Sequence, residues 1–228
     1  EACAPAPTAP GQGAEDLGTT IMAIIYEGGV MLAADSRTSS GQYVVNRVSD
    51  KIYKMNATTY CCRSGSAADT QAVSDMVQRY SEDHALEMGQ ATPSVTAVAN
   101  LFRLICYHNR DLLQASIITA GIDGAGTAGA KARIFSVPLG GSLIEHPDFA
   151  VSGSGSTYIW GLVDATFRVD MPRAEALQFV KRCVAHAMAR DGSSGGVIRV
   201  ADIKLDVRSI PPFLPNAVSR APLPPLCP

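Results

Sequence analysis

Three short segments rich in serine, threonine and glycine offer hydroxyl or anion chemistry, and each makes different demands on its surroundings. Gly192-Ser193-Ser194-Gly195-Gly196 is a literal G-x-S-x-G, the pattern of a serine nucleophile on a sharp strand-to-helix turn. That motif needs a strand before it, a helix after it and a histidine later in the chain. Here a helical stretch precedes, a strand-like stretch follows, and the last of the 4 histidines is His186, so the match is fortuitous. Gly153-Ser154-Gly155-Ser156-Thr157 opens a helix, whose first amides can hold an anion. It lacks the lysine of a phosphate loop and any paired acidic ligands for magnesium, so it reads as a tight strand-to-helix turn. The third segment, Leu17-Gly18-Thr19-Thr20, stands where a leader with no apolar period gives way to the first strand. It is followed by Gly28-Gly29, by Ala34-Asp35-Ser36-Arg37, and by Lys51 after Ser49-Asp50. Each alone is ordinary, since threonine opens many strands and a single aspartate or lysine is commonly solvated. Their order and spacing are what set them apart.

The elements that must position these residues are legible as apolar patterns. Thr20 to Tyr26 and Gly29 to Ala34 read as strands joined through Glu27-Gly28 in a tight hairpin. Further strands are expected at Lys51 to Met55 and Thr58 to Cys62. Ala72, Val73, Met76, Val77 and Tyr80 then recur at helical spacing, and Thr92-Pro93 offers an N-cap and first-turn proline for a second helix through Val95, Val98, Phe102 and Ile105. Strands at Ser116 to Gly121, Arg133 to Val137 and Phe149 to Ser152 precede helices over Ser156 to Arg168 and Pro172 to Arg190, and a strand at Val197 to Leu205 closes the series. Blocks of strands alternating with helix pairs predict an α+β fold: a four-layer αββα sandwich of two antiparallel sheets flanked by helix pairs.

Composition excludes several function classes. With 46% apolar and 18% charged residues, the 228-residue chain suits one domain with a real core. A formal charge of -2 and the absence of a long basic run argue against nucleic acid as a partner. No apolar stretch reaches the roughly 18 to 20 residues of a membrane span, so no membrane association is expected. The 6 cysteines lack C-x-x-C spacing, and adjacent Cys61 and Cys62 would face opposite sides of a strand, which predicts reduced structural thiols and no metal site. Of 14 prolines, 3 fall in the first ten residues and 7 between Pro211 and Pro228, bounding a packed core from Gly18 to Ile210 with an extended arm after it.

Taken together, the Gly18-Thr19 junction, the Gly28-Gly29 hairpin, Asp35-Ser36-Arg37, a lysine sixteen residues beyond the aspartate, and the Gly65-Ser66-Ala67-Ala68-Asp69 helix start resemble the proteasome β-subunit family. Gly153-Ser154-Gly155 and the Asp191 to Gly196 segment extend the resemblance across Gly18 to Leu205. It implies an N-terminal-nucleophile hydrolase whose 1–18 leader is removed, a catalytic domain over 19–210 and a Pro-rich arm over 211–228. Cleavage between Gly18 and Thr19 would expose the Thr19 hydroxyl as nucleophile and its own α-amine as base. By the same resemblance Lys51 lowers the pKa of that amine, Asp35 holds Lys51, and Ser154, Asp191 and Ser194 support the amine. The Gly65 backbone N–H would be the oxyanion donor. No cofactor is called for.

Arg63, two residues before Gly65, falls in the loop that lines the specificity pocket in this family, where a guanidinium favours an acidic side chain before the cut. The segment Cys61 to Gln71 is similar to the caspase-like β1 branch, and the resemblance adds Thr38, Ser49 and Ala67 as substrate-binding positions. The implied partners are other β subunits in a heptameric ring, an opposing β ring, a stacked α ring, and polypeptide substrates, in cytoplasm and nucleus. The competing expectation is an unprocessed, catalytically silent β subunit, which would be expected to lack Thr19, Asp35 or Lys51.

Overall fold

The computed structural model describes residues 18–41, 43–89, 92–127 and 129–205. The expected leader upstream of Gly18, the boundary at Ile210, the Pro-rich arm, Cys3 and Cys227 lie outside the described residues.

Strands β1 (Ile21–Tyr26) and β2 (Gly29–Ala34) form the expected hairpin. A ribbon of β3 (Thr38–Ser40) and β4 (Tyr43–Asn46) follows, then β5 (Ile52–Lys54), β6 (Thr59–Gly65), helices α1 (Ala67–Glu87) and α2 (Val95–His108), and strands β7 (Ala115–Asp123), β8 (Lys131–Val137), β9 (Ile144–His146) and β10 (Phe149–Ser152). Helices α3 (Ser156–Thr166) and α4 (Arg173–Arg190) lead to β11 (Arg199–Lys204). One antiparallel sheet runs β10-β1-β2-β11 and the other β5-β6-β7-β8-β9.

Alternation along the strands explains the layering. Ile21 and Ala23 of β1, with Val30 and Leu32 of β2, meet Tyr60, Cys62, Ile118, Ala120 and Ile134 of the second sheet in a core between the sheets. Met22, Ile24, Met31 and Ala33 point the other way, onto Ile159, Val163, Val180 and Val184 of α3 and α4. On the far side, Cys61, Ile117 and Val137 pack under Val73, Val77, Val98 and Phe102 of α1 and α2. The result is the αββα sandwich, and β1 and β2 read as continuous apolar runs because both faces are covered. Cys61 and Cys62 do face opposite cores. Burial pushes the Cys61 and Cys183 thiols up to about 12, so they are inert packing groups.

Several expectations need correction. The cap of α2 is Ser94, whose Oγ accepts from the Ala97 N–H at 3.1 Å, not Thr92, and Pro93 lies outside the helix. The helix starts at Val95 because its N–H is drawn to Asp123 Oδ1 at 2.7 Å, tying the helix to the end of β7. Helix α3 stops at Thr166, since Phe167 is extended and packs its ring against Phe149 and Phe179. Strands β3, β4 and β9 were not anticipated; each has only 3 or 4 residues, too few for a period to show. Among the described residues no helix is long and apolar enough to cross a membrane.

Candidate active site

Sheet register alone gathers the expected site at one end of the sandwich. Ile21 pairs with Ala34 on one side and Ser152 on the other, so the residues just beyond, Thr19 and Thr20, lie beside Asp35 and the Gly153-Ser154 turn. Arg199 pairs with Ala34 from the other edge of β2, which delivers the 191–196 loop to the same end. Ile52 pairs with Cys62, which sets Lys51 beside Arg63.

Thr19, Asp35 and Lys51 are 4%, 0% and 8% exposed, so their interactions are made with little water to screen them. Lys51 Nζ donates to Asp35 Oδ1 at 2.8 Å, to Thr19 Oγ1 at 3.0 Å and to the Gly18 carbonyl at 3.3 Å. The Thr19 hydroxyl in turn donates to the Gly18 carbonyl at 2.7 Å. Burial lowers the pKa of Lys51, and Asp35 works against that shift. The carboxylate is held rigid by backbone donors as well: Thr20 N–H at 2.9 Å on Oδ1, and Gly195 N–H at 3.0 Å with Arg37 N–H at 3.1 Å on Oδ2.

A second cluster surrounds the Thr19 nitrogen. Its N–H donates to Ser154 Oγ at 3.2 Å, and Ser154 donates onward to Asp191 Oδ2 at 2.6 Å. Ser194 Oγ donates to the same Asp191 oxygen at 2.6 Å and lies 2.8 Å from Thr20 Oγ1, so the Thr20 hydroxyl is the donor in that pair. Asp191 caps the C-terminus of α4, which fixes the carboxylate where the 193–196 loop turns back; Ser193 N–H donates to its Oδ1 at 3.1 Å. The crowding around Thr19 requires glycine before it: a Cβ on Gly18 would collide with Ser193.

Gly65 ends β6 with φ +110°, and a Cβ there would meet the Gln114 carbonyl. Glycine at 65 therefore answers both a backbone conformation and a close approach. Arg63 has its guanidinium 5.4 Å from the Tyr53 ring centroid, and its Nη2 donates to the Asp50 carbonyl at 3.0 Å. Its Nε and Nη1 are buried and have no hydrogen-bond partner. Thr38 Oγ1 donates to Ser49 Oγ at 2.9 Å, which brings two of the expected substrate-binding positions into contact with each other. Ala67 opens α1, its carbonyl accepts from Thr70 Oγ1 at 3.3 Å, and no hydrogen bond among the described residues joins it to Arg63, Thr38 or Ser49.

The arrangement can do one kind of chemistry well: it holds a hydroxyl between a buried ammonium and a peptide carbonyl, which favours attack by that oxygen on acyl carbon. A family model described as "Proteasome subunit" matches residues 15–203, spanning every element that builds this site. The chain belongs to the proteasome subunit family. Its relatives include proteasome subunit beta type-6 of Dictyostelium discoideum, 50% identical over 190 residues that cover 83% of this chain and 86% of the relative. Proteasome subunit beta type-1 of Saccharomyces cerevisiae is 46% identical over 189 residues, covering 83% and 85%. Proteasome subunit beta type-9 of Homo sapiens is 44% identical over 200 residues, covering 88% of each. Proteasome β subunits are in general threonine proteases, the chemistry for which a hydroxyl in this setting is suited.

Sequence reading missed several residues that complete this proteasome-type site. Ser36 accepts from Val197 N–H and donates to the Arg47 carbonyl, Arg37 Nη1 donates to the Gly192 carbonyl at 2.8 Å, and Arg199 reaches the loop before Lys51. Ser36 and Arg37 stand inside the Asp35-Ser36-Arg37 motif; Arg199 carries no sequence signal at all, because it meets its partners only through the β11–β2 pairing.

Proposed function

We propose that this chain is a threonine endopeptidase subunit of a proteasome core that cuts polypeptides after acidic residues, with Thr19 as the nucleophile. The observation that carries it is Thr19 Oγ1 held between Lys51 Nζ, itself anchored to Asp35, and the Gly18 carbonyl. That contact supports self-cleavage as the route to the mature chain. Thr19 Oγ1 bonds to the Gly18 carbonyl carbon, the Gly18–Thr19 C–N bond breaks with the proton passing to nitrogen, and water then hydrolyses the resulting ester. The products are a Gly18 carboxylate and a free Thr19 amine.

In the mature enzyme that amine is the general base, since a free α-amine has a pKa of about 7.7 to 8.0 and the neighbouring Lys51 charge lowers it further. Ser154, Asp191 and Ser194 orient the amine, and the Gly65 N–H receives the developing oxyanion. Before cleavage the nitrogen is an amide without a usable lone pair, so the leader over residues 1–18 keeps the subunit inert, and residues 19–210 and 211–228 remain as catalytic domain and arm. The partners in this reading are neighbouring β subunits in a heptameric ring, an opposing β ring and an α ring, in cytoplasm and nucleus.

The unpartnered Nε and Nη1 of Arg63 support the acidic preference and the caspase-like β1 assignment, because buried guanidinium donors are costly until an acceptor arrives. A substrate carboxylate supplies that acceptor, with Thr38, Ser49 and Ala67 as further pocket positions. Arg63→Ala in the assembled particle is expected to lower the cleavage ratio of Glu-containing to leucine-containing test peptides by roughly 10- to 100-fold, as loss of about 1.5 to 3 kcal/mol requires. A parental ratio in that variant would remove Arg63 from the pocket.

A further inference from the structure

We infer that Arg199 is a positioning residue that locks the 47–51 loop and so couples the specificity arginine to Lys51. This rests on the functional reading above. The loop has no strand or helix of its own, yet each of its carbonyls accepts a donor. Arg47 O accepts from Ser36 Oγ at 2.5 Å. Val48 O accepts from Arg199 Nη2 at 2.7 Å, and Ser49 O from Arg199 Nε at 3.1 Å. Asp50 O then accepts from Arg63 Nη2 at 3.0 Å, and Lys51 O from the Arg63 N–H at 2.9 Å.

The pattern divides the 48–51 carbonyls between two arginines. Arg199 projects from β11, the edge strand of the first sheet, and spans successive carbonyls with the fixed fork of its guanidinium. Arg63 sits on β6 of the second sheet and holds the next carbonyls. The loop is thus stretched between the sheets, with Lys51 as its last residue and Asp50 O as the anchor that aims Arg63. Upstream lies the β3–β4 ribbon, whose Tyr43, Val44 and Val45 are exposed and whose hold on the loop is by side-chain hydrogen bonds from Thr38 to Ser49 and from the Val48 N–H to Asn46, neither of which reaches the loop carbonyls. Releasing Arg199 leaves the Val48 and Ser49 carbonyls without a donor and this stretch held only through Asn46 Oδ1, Thr38 Oγ1 and the Ser36 carbonyl, so the reference for both Lys51 Nζ and the Arg63 guanidinium loosens. A lysine at 199 keeps the charge and loses the fork, so charge alone does not substitute.

The test compares assembled particles carrying the parental chain, Arg199→Ala or Arg199→Lys, using Glu- and leucine-containing peptides together with a structure of each particle. Arg199→Ala is expected to lower kcat roughly 10- to 100-fold on both peptides, the loss typical of a displaced catalytic group. It should also raise KM for the Glu peptide alone. Arg199→Lys should fall between, and in both variants Lys51 Nζ should lie farther than the parental 3.0 Å from Thr19 Oγ1. Should Arg199→Ala fail to assemble, Arg199→Lys carries the test on the same readouts. Parental kinetics together with an undisturbed 47–51 loop in an assembled variant would overturn the clamp. A parental particle inert on the Glu peptide would instead overturn the functional reading, and the loop position would still decide the clamp.

Discussion

Thr19→Ala is expected to abolish peptide hydrolysis at this site and to leave residues upstream of Thr19 attached. The substitution removes the one atom that both steps share. In the intact chain Thr19 Oγ1 donates to the Gly18 carbonyl, and in the proposed mature enzyme the same oxygen attacks substrate. No neighbouring hydroxyl can replace it: Ser154 and Ser194 both give their protons to Asp191, and Thr20 Oγ1 is turned to Ser194. The fall should be on the order of 10⁴-fold or more, the scale on which nucleophile removal acts. Peptide assays and intact mass on variant particles check both halves. Retention of activity, or loss of the leader through the chain's own action, would remove Thr19 from its role.

The second large effect is on Lys51. Lys51→Ala is expected to lower the rate by on the order of 10³-fold, because it removes the positive charge 3.0 Å from the nucleophile while leaving the hydroxyl in place. Its partner offers a distinguishable control. Asp35→Asn keeps the side-chain shape, but leaves the Lys51 ammonium buried without its counter-charge, a situation that costs about 3 to 5 kcal/mol of stability. Asp35→Asn should therefore lower both rate and melting temperature, whereas Lys51→Ala, which also breaks the pair but leaves Asp35 with three backbone N–H donors, should lower the melting temperature less and act more on rate. Equal melting losses in the two variants would contradict this division between charge that works on the nucleophile and charge that holds the ammonium.

Much of the fold was legible because the strands near the site are buried on both faces. The runs Ile21–Tyr26 and Gly29–Ala34 carry almost no polar residue, so their type and hairpin pairing could be read directly. The split of Cys61 and Cys62 between two cores followed from strand alternation alone. The β3–β4 ribbon was not legible, because Tyr43-Val44-Val45 is exposed on both faces and so shows no alternation. The cap of α2 slipped by two residues since Asp123, 28 positions away, accepts from the Val95 N–H and so selects Ser94 over Thr92 as the cap.

The site divides in the same way. Thr19, Asp35 and Lys51 stand in order near the first strands, where spacing can be seen. Ser154, Asp191 and Ser194 reach Thr19 through sheet pairing with β10 and through the end of α4, so only family resemblance pointed to them. Arg199 had neither signal, although its hydrogen bonds to Val48 and Ser49 are as well formed as those of any expected residue.

The most direct test of the central claim is the N-terminus of the chain isolated from its native assembly, read by intact mass and terminal sequencing. The account predicts a mature chain beginning Thr19-Thr20-Ile21, with a free amine beside Ser154. A chain that still carries Gly18 in the finished, assembled particle would contradict it, and would make this a structural subunit despite its complete set of catalytic side chains.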